Sequence, residues 1–190
     1  MSFEWNIGIA SKTARPAHRI MVAQGEHVIT DDRNVVFSTV LGSCVAACIR
    51  DPAIGLGGMN HFVLPGPINR TMDRYEAARY GCWLMDALVS DLIKYGANPR
   101  RLEARIFGGA SPAGNNFYNV GVRNFDYARL FLASRNITVI EESMGGPRGC
   151  KLEYWPASGR ADCVALPDRI RHANIEDAAI AGLRVAASRA

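Results

Sequence analysis

Hydrophobic and polar positions change period several times along the chain. The segment His27-Val28-Ile29-Thr30 and residues 34–41 are rich in β-branched side chains and predict two strands. After the break Gly42-Ser43, the apolar run 44–49 predicts another strand, closed by Asp51-Pro52, and residues 56–64 predict a further one before Pro65. The period then becomes helical over 71–95, where Ala78, Cys82, Met85, Val89 and Leu92 share one stripe. Thr71 or Asp73 is suited to cap that helix and Gly96 to end it. A short strand over 104–107 runs into Gly108-Gly109-Ala110, and Asn124 is placed to cap a second helix with Tyr127, Leu130, Phe131 and Ser134 on one face. Strands over 137–142 and 150–155 flank the turn Gly145-Gly146-Pro147, and from Asp168 onward an Ala- and Arg-rich segment reads as a surface helix or tail. Consecutive strands, two helices and more strands do not alternate as a doubly wound fold does, so the expected class is α+β. With no repeat, low-complexity tract or polar linker, one domain over 1–190 is expected, with its core at about 28–165.

Composition narrows the function classes. The 190 residues are 48% hydrophobic and 21% charged, which excludes disordered, collagenous and coiled-coil chains. The net charge of +4 is mild and its basic residues are scattered, apart from Arg100, Arg101 and Arg105, so a nucleic-acid partner is not expected. The most apolar stretch, 35–49, is interrupted by Ser38, Thr39, Gly42 and Ser43 and falls short of the roughly 20 residues a membrane helix needs. The start, Met1-Ser2-Phe3-Glu4-Trp5, lacks a signal-peptide pattern, so the expected location is the cytoplasm, with reduced thiols. Five cysteines without a C-x-x-C argue against a disulfide framework or structural zinc, and neither metal nor cofactor is expected.

With five cysteines and four histidines, the presence of both types decides nothing, and local context must choose. Cys44 alone follows a Gly-Ser break between two strand-like runs, where a tight turn would present its N–H and side chain together. A thiol with a free pKa near about 8.5 becomes a nucleophile at neutral pH when a neighbouring imidazole takes its proton. His61 lies on the next apolar segment, and a hairpin between the two runs would bring it near Cys44. Ser38 and Thr39 offer hydroxyls to orient the imidazole, as would a backbone carbonyl. The turn at Ser43 and Cys44 supplies backbone support, with the Cys44 N–H as one oxyanion donor. His18, His27 and His172 read as surface histidines. Cys48 would share a strand face with Cys44, and metal binding by that pair would need further ligands. The glycines at 55–58 and 108–109 lack a following Gly-Lys-Ser/Thr and read as turns or close approaches.

Leu41-Gly42-Ser43-Cys44-Val45, Asp51-Pro52 and 57–65 resemble the chemoreceptor glutamine deamidase family, CheD. The likeness continues in order through Arg105-Ile106-Phe107-Gly108-Gly109-Ala110, Asn119-Val120-Gly121-Val122-Arg123-Asn124 and Gly145-Gly146-Pro147-Arg148-Gly149. The resemblance implies hydrolysis of glutamine side-chain amides in bacterial chemoreceptors to glutamate and ammonia, an amidohydrolase acting on non-peptide carbon–nitrogen bonds in chemotaxis adaptation. Some members are also credited with hydrolysing glutamyl methyl esters. Carried over by position, Cys44 matches the nucleophile and His61 the general base. The third member, usually Thr, falls at Ser38, with Thr39 beside it. Cys150 departs from the family, whose motif continues there into Gly-Arg. The implied fold is a β-sandwich-like core flanked by helices, similar to the deamidating domains of certain toxins. The implied partners are the receptor cytoplasmic domain as substrate and, in some bacteria, a CheC-type phosphatase. Two other readings compete: a binding module that regulates a receptor or phosphatase without turnover, and a thiol redox sensor using a Cys44–Cys48 disulfide.

Overall fold

The computed structural model describes residues 18–63, 80–111 and 120–167. Its strands are β1 (His18–Met21), β2 (His27–Thr30), β3 (Val35–Leu41), β4 (Val45–Asp51), β5 (Leu56–Asn60), β6 (Glu103–Gly108), β7 (Thr138–Met144), β8 (Cys150–Trp155) and β9 (Arg160–Ala165). The helices are α1 (Gly81–Lys94) and α2 (Val120–Ser134). Two mixed sheets form, with strand orders β1-β3-β8-β9 and β2-β5-β4-β6-β7. β1 lies parallel to β3 and β6 parallel to β7, and the other pairings are antiparallel.

Side-chain alternation on β4 explains the layers. Val45, Ala47 and Ile49 project to one face and pack with Leu84, Leu88, Phe125 and Leu132 of the helices. Ala46 and Cys48 project to the other, where Met59 and Phe107 meet Phe37, Leu41, Leu152 and Tyr154 of the second sheet. A strand covered on both sides reads as a continuous apolar run, which is how 44–49 appears in sequence. The architecture is helices on a five-stranded sheet on a four-stranded sheet, the expected α+β sandwich flanked by helices. Each fully buried large side chain contributes about 1.5–3 kcal/mol.

Several boundaries move for identifiable reasons. The strand expected over 56–64 ends at Asn60, because the buried Asn60 carboxamide oxygen accepts the Ala47 N–H at 2.9 Å and takes the place of a ladder bond. Among the described residues pairing resumes as a bridge between Val45 and Phe62. Asn124 does not cap α2. It sits inside the helix, fully buried, and its partners are distant carbonyls. The buried stripe of α2 is Gly121, Phe125, Ala128 and Leu132, whereas Leu130 is 71% exposed. Close packing of Gly121 against the Gly109 and Ala110 carbonyls sets that rotation. On α1 the expected stripe holds at Met85, Val89 and Leu92. The residues expected at 71–79 of that helix, and the segment after Asp168, lie outside the described residues. Strands β1 and β9 have no counterpart in the sequence reading. β1 is four residues long and largely exposed, and β9 alternates only weakly.

Candidate active site

Cys44 stands at the entry to β4 and His61 just beyond β5. Val45 and Phe62 exchange both backbone hydrogen bonds at 3.0 Å and face the helices. Cys44 and His61, each one residue earlier, therefore share the opposite face as diagonal neighbours, about 7–8 Å apart at Cα. No hydrogen bond joins the two side chains at rest, since His61 Nε2 has no partner.

Three consecutive carbonyls hold the turn before β4. The Gly42 carbonyl accepts from Ala110 N–H at 2.8 Å, that of Ser43 from the Asn124 Nδ2 amide at 3.0 Å, and that of Cys44 from Gly109 N–H at 2.8 Å. Gly108, at φ +108°, packs against the Cys44 carbonyl where a Cβ would collide, so the Gly-Gly pair is a close approach. In a trans peptide the N–H opposes the C=O, so these ties turn the Ser43 and Cys44 N–H groups away from β6 and α2. Its own backbone N–H lowers the Cys44 thiol pKa, against the larger opposing effect of burial. Asn124 also donates to the Val63 carbonyl at 2.9 Å, joining the Cys44 turn to the segment that carries His61. Its own Oδ1 is buried without a hydrogen-bond partner. Asn124 was read from sequence as a helix cap, and its place inside the Asn119–Asn124 motif was the available signal that it does something else.

The imidazole is oriented by Thr39. Thr39 Oγ1 lies 2.9 Å from His61 Nδ1 and donates its own proton to the Val22 carbonyl at 2.8 Å. The Val22 carbonyl is itself 3.4 Å from Nδ1. Both groups facing Nδ1 thus accept, which assigns the proton to Nδ1 and leaves Nε2 as the basic atom. Nε2 is buried and has no hydrogen-bond partner. Ser38, the residue matched to the family's third position, occupies the other face of β3 by strand alternation and presents its carbonyl to Val22 N–H at 2.9 Å. The hydroxyl on His61 is Thr39's.

The link 22–26 between β1 and β2, where the sequence predicts no element, is part of this centre. It supplies the Val22 carbonyl, and its Gly25 N–H and Glu26 carbonyl bond the His61 backbone at 2.7 and 3.0 Å. The exposed Gln24 places its carboxamide oxygen 3.9 Å from Cys44 Sγ. Burial pushes the Cys44 thiol up to about 11 and holds the His61 imidazole down at about 4, so both are neutral at rest.

The remaining sequence candidates separate from this centre. Cys48 is fully buried between the sheets, and four strand positions put it about 13 Å from Cys44, beyond the roughly 7 Å that a disulfide tolerates. The Cys44–Cys48 switch is thereby excluded for this fold. His18 is exposed on β1, and His27 pairs with Asp91 at 2.8 Å, its ring edge-on to Trp83. His172 lies outside the described residues. Among the described residues no group of three or more His, Cys, Asp or Glu side chains could hold a metal ion, and no helix is long and apolar enough to cross a membrane.

Fold and site together define an α+β sandwich protein with a thiol and a basic imidazole nitrogen on one sheet face, beside a turn whose amides point outward. The chain belongs to the CheD family: the model of that family, described as CheD chemotactic sensory transduction, matches residues 63–164. It is 51% identical over 154 residues to a protein of Rhizobium meliloti named "Probable chemoreceptor glutamine deamidase CheD", covering 81% of this chain and 84% of that one. A protein of the same name from Caulobacter vibrioides is 49% identical over 144 residues, 76% of each chain. Among solved structures, the Bacillus licheniformis hypothetical protein YfiH aligns with a TM-score of 0.41 at 16% identity, over 63% of this chain and 49% of that one.

Proposed function

We infer that the chain is a protein-glutamine deamidase that hydrolyses glutamine side-chain amides of chemoreceptors in chemotaxis adaptation. The observation that carries this reading is the unpartnered Nε2 of His61, on the same sheet face as Cys44 and with its tautomer set by Thr39 and Val22. The names of the relatives supply the substrate class.

In this mechanism Nε2 takes the thiol proton as Cys44 Sγ attacks the carboxamide carbon. Because burial disfavours either charge at rest, transfer and attack are coupled, and the thiolate forms when an acceptor carbon is in place. The amide oxygen becomes an oxyanion held by the Ser43 and Cys44 N–H groups, which the three carbonyl ties have pre-set. The Nε2 proton passes to the departing amine, ammonia leaves and a thioester remains. Nε2 then takes a proton from water, hydroxide attacks the thioester, and glutamate is released with the thiol restored. Gln24 at the thiol must swing aside for the incoming side chain, which an exposed residue can do. No step calls for a metal or an organic cofactor. The reading puts the chain in the cytoplasm, with the receptor cytoplasmic domain as substrate and a CheC-type phosphatase as the implied regulatory partner.

Hydroxylamine trapping tests the thioester. A receptor cytoplasmic domain incubated with the protein and hydroxylamine is expected to accumulate glutamyl hydroxamate at specific glutamines. Absence of hydroxamate alongside continuing ammonia release would reject a Cys44 acyl-enzyme. Binding to the receptor with neither product would favour the non-catalytic module.

A further inference from the structure

Two cysteines outside the candidate site stand against each other. Cys150 on β8 and Cys163 on β9 place their Sγ atoms 2.7 Å apart, so a disulfide bond of about 2.05 Å asks for movement of a fraction of an ångström. Cys163 lies opposite Leu152 and Cys150 opposite Ala165, which makes the two cysteines diagonal neighbours on the inner face of the sheet. The twist of an antiparallel ribbon shortens one of its two diagonals. Among the described residues β9 is an edge strand paired to β8 alone, which leaves Cys163 room to approach its partner. Cys163 is half-buried, within reach of a small oxidant, whereas Cys150 is buried behind it.

We propose that Cys150 and Cys163 are a redox-active dithiol, which a hydroperoxide closes to an intramolecular disulfide across β8 and β9 while Cys44 stays a thiol. The Cys163 thiolate attacks a peroxide oxygen: an S–O bond forms, the O–O bond breaks and hydroxide leaves. Sulfur is oxidised by two electrons and the peroxide is reduced. The Cys150 sulfur then attacks Cys163 Sγ, the S–S bond forms, and the S–O bond breaks as hydroxide leaves with the Cys150 proton as water. In sum, two thiols and hydrogen peroxide give one disulfide and two waters. The sulfur–sulfur contact with Cys150 lowers the Cys163 pKa, which favours Cys163 as the attacking thiolate. Burial keeps the Cys44 thiol protonated, and protonated thiols react slowly with peroxide. β8 also pairs with β3, where Cys150 faces Leu41 and Leu152 faces Thr39, so the disulfide would fasten the sheet edge next to the strand that orients His61.

Peptide mapping of the full chain tests this. The protein is treated with equimolar hydrogen peroxide, blocked with N-ethylmaleimide and cut with trypsin without reductant. Cleavage after Arg148, Lys151, Arg160 and Arg169 puts the two cysteines on separate peptides. The expected result is peptide 149–151 joined to 161–169, released by dithiothreitol and missing from Cys163→Ser, with Cys44 recovered as its maleimide adduct. Cys150→Ala is the second variant and must also lose the joined pair. Recovery of both Cys150 and Cys163 as maleimide adducts, or oxidation of Cys44 ahead of them, would overturn the proposal.

Discussion

Thr39 and Ser38 are adjacent on β3, both buried and both hydroxyl-bearing, yet only Thr39 meets the imidazole. Thr39→Val keeps the shape and removes the hydroxyl, so Nδ1 loses its main acceptor and the ring its fixed orientation. We expect kcat to fall about ten- to a hundredfold with KM little changed, a share of what a positioned general base contributes. Ser38→Ala is expected to leave kcat nearly unchanged, and steady-state kinetics on the two variants separate the assignments. The charge state of Cys44 gives a second prediction. With burial raising its thiol to about 11, iodoacetamide alkylation of the resting protein should be slow at neutral pH and keep rising where a free thiol has levelled off. A rate that levels off just above about 8.5, the free-cysteine value, would mean that Cys44 titrates as an ordinary thiol and that burial does not hold its proton. Cys44 and His61 were legible in the sequence because a Gly-Ser break and an apolar hairpin partner are local signals. The choice between Ser38 and Thr39 was not, since strand parity near a turn is set by the sheet that the strand joins.

At the scale of elements, the site is assembled by α2 and the link between β1 and β2 as much as by the strands that carry its chemistry. Asn124 ties Ser43 to Val63 from inside α2, so Asn124→Leu should fold with the helix stripe intact but release both carbonyls. On the proposed mechanism kcat is expected to fall on the order of ten- to a thousandfold, since the Ser43 and Cys44 amides it assigns to the oxyanion would no longer be pre-set. Circular dichroism must show retained structure, and an unchanged kcat in the folded variant would remove Asn124 from the positioning scheme. Sequence reasoning mistook this residue because Asn at a helix start is the usual cap pattern, and a buried amide bonded to carbonyls 81 and 61 residues away leaves no local trace. The 22–26 link was missed for the same reason: what it contributes to His61 is backbone, and backbone hydrogen bonds carry no side-chain signature.

For the whole molecule, two buried titratable groups set separate pH windows. His61 titrates near 6.5 when unfolded and at about 4 when folded, so the unfolded chain binds the proton first and stability falls as pH drops through that interval. Asp51, fully buried, accepts from Arg101 at 2.6 Å and from Asn98 N–H at 2.8 Å, and these bonds lower its carboxyl from 3.8 to about 2. Its contribution is complete above the unfolded value and is lost as pH falls toward 2. Urea unfolding across acid pH should show both slopes, with His61→Gln flattening the upper and Asp51→Asn the lower. The α+β class followed from the order of elements and the sandwich from the family resemblance, whereas which strand joins which sheet was not legible. β4 reads as one apolar run although its alternate residues serve different layers, and β1 and β9 at the edges of the smaller sheet carry too little pattern to be seen. The central claim is that Cys44 converts receptor glutamines to glutamates, and peptide mass mapping of a chemoreceptor cytoplasmic domain tests it most directly. After incubation with the wild-type protein, specific glutamines are expected to appear as glutamates with matching ammonia release, and none with Cys44→Ala. Conversion that persists in Cys44→Ala, or no conversion by the wild-type protein on a receptor that it binds, would contradict the account.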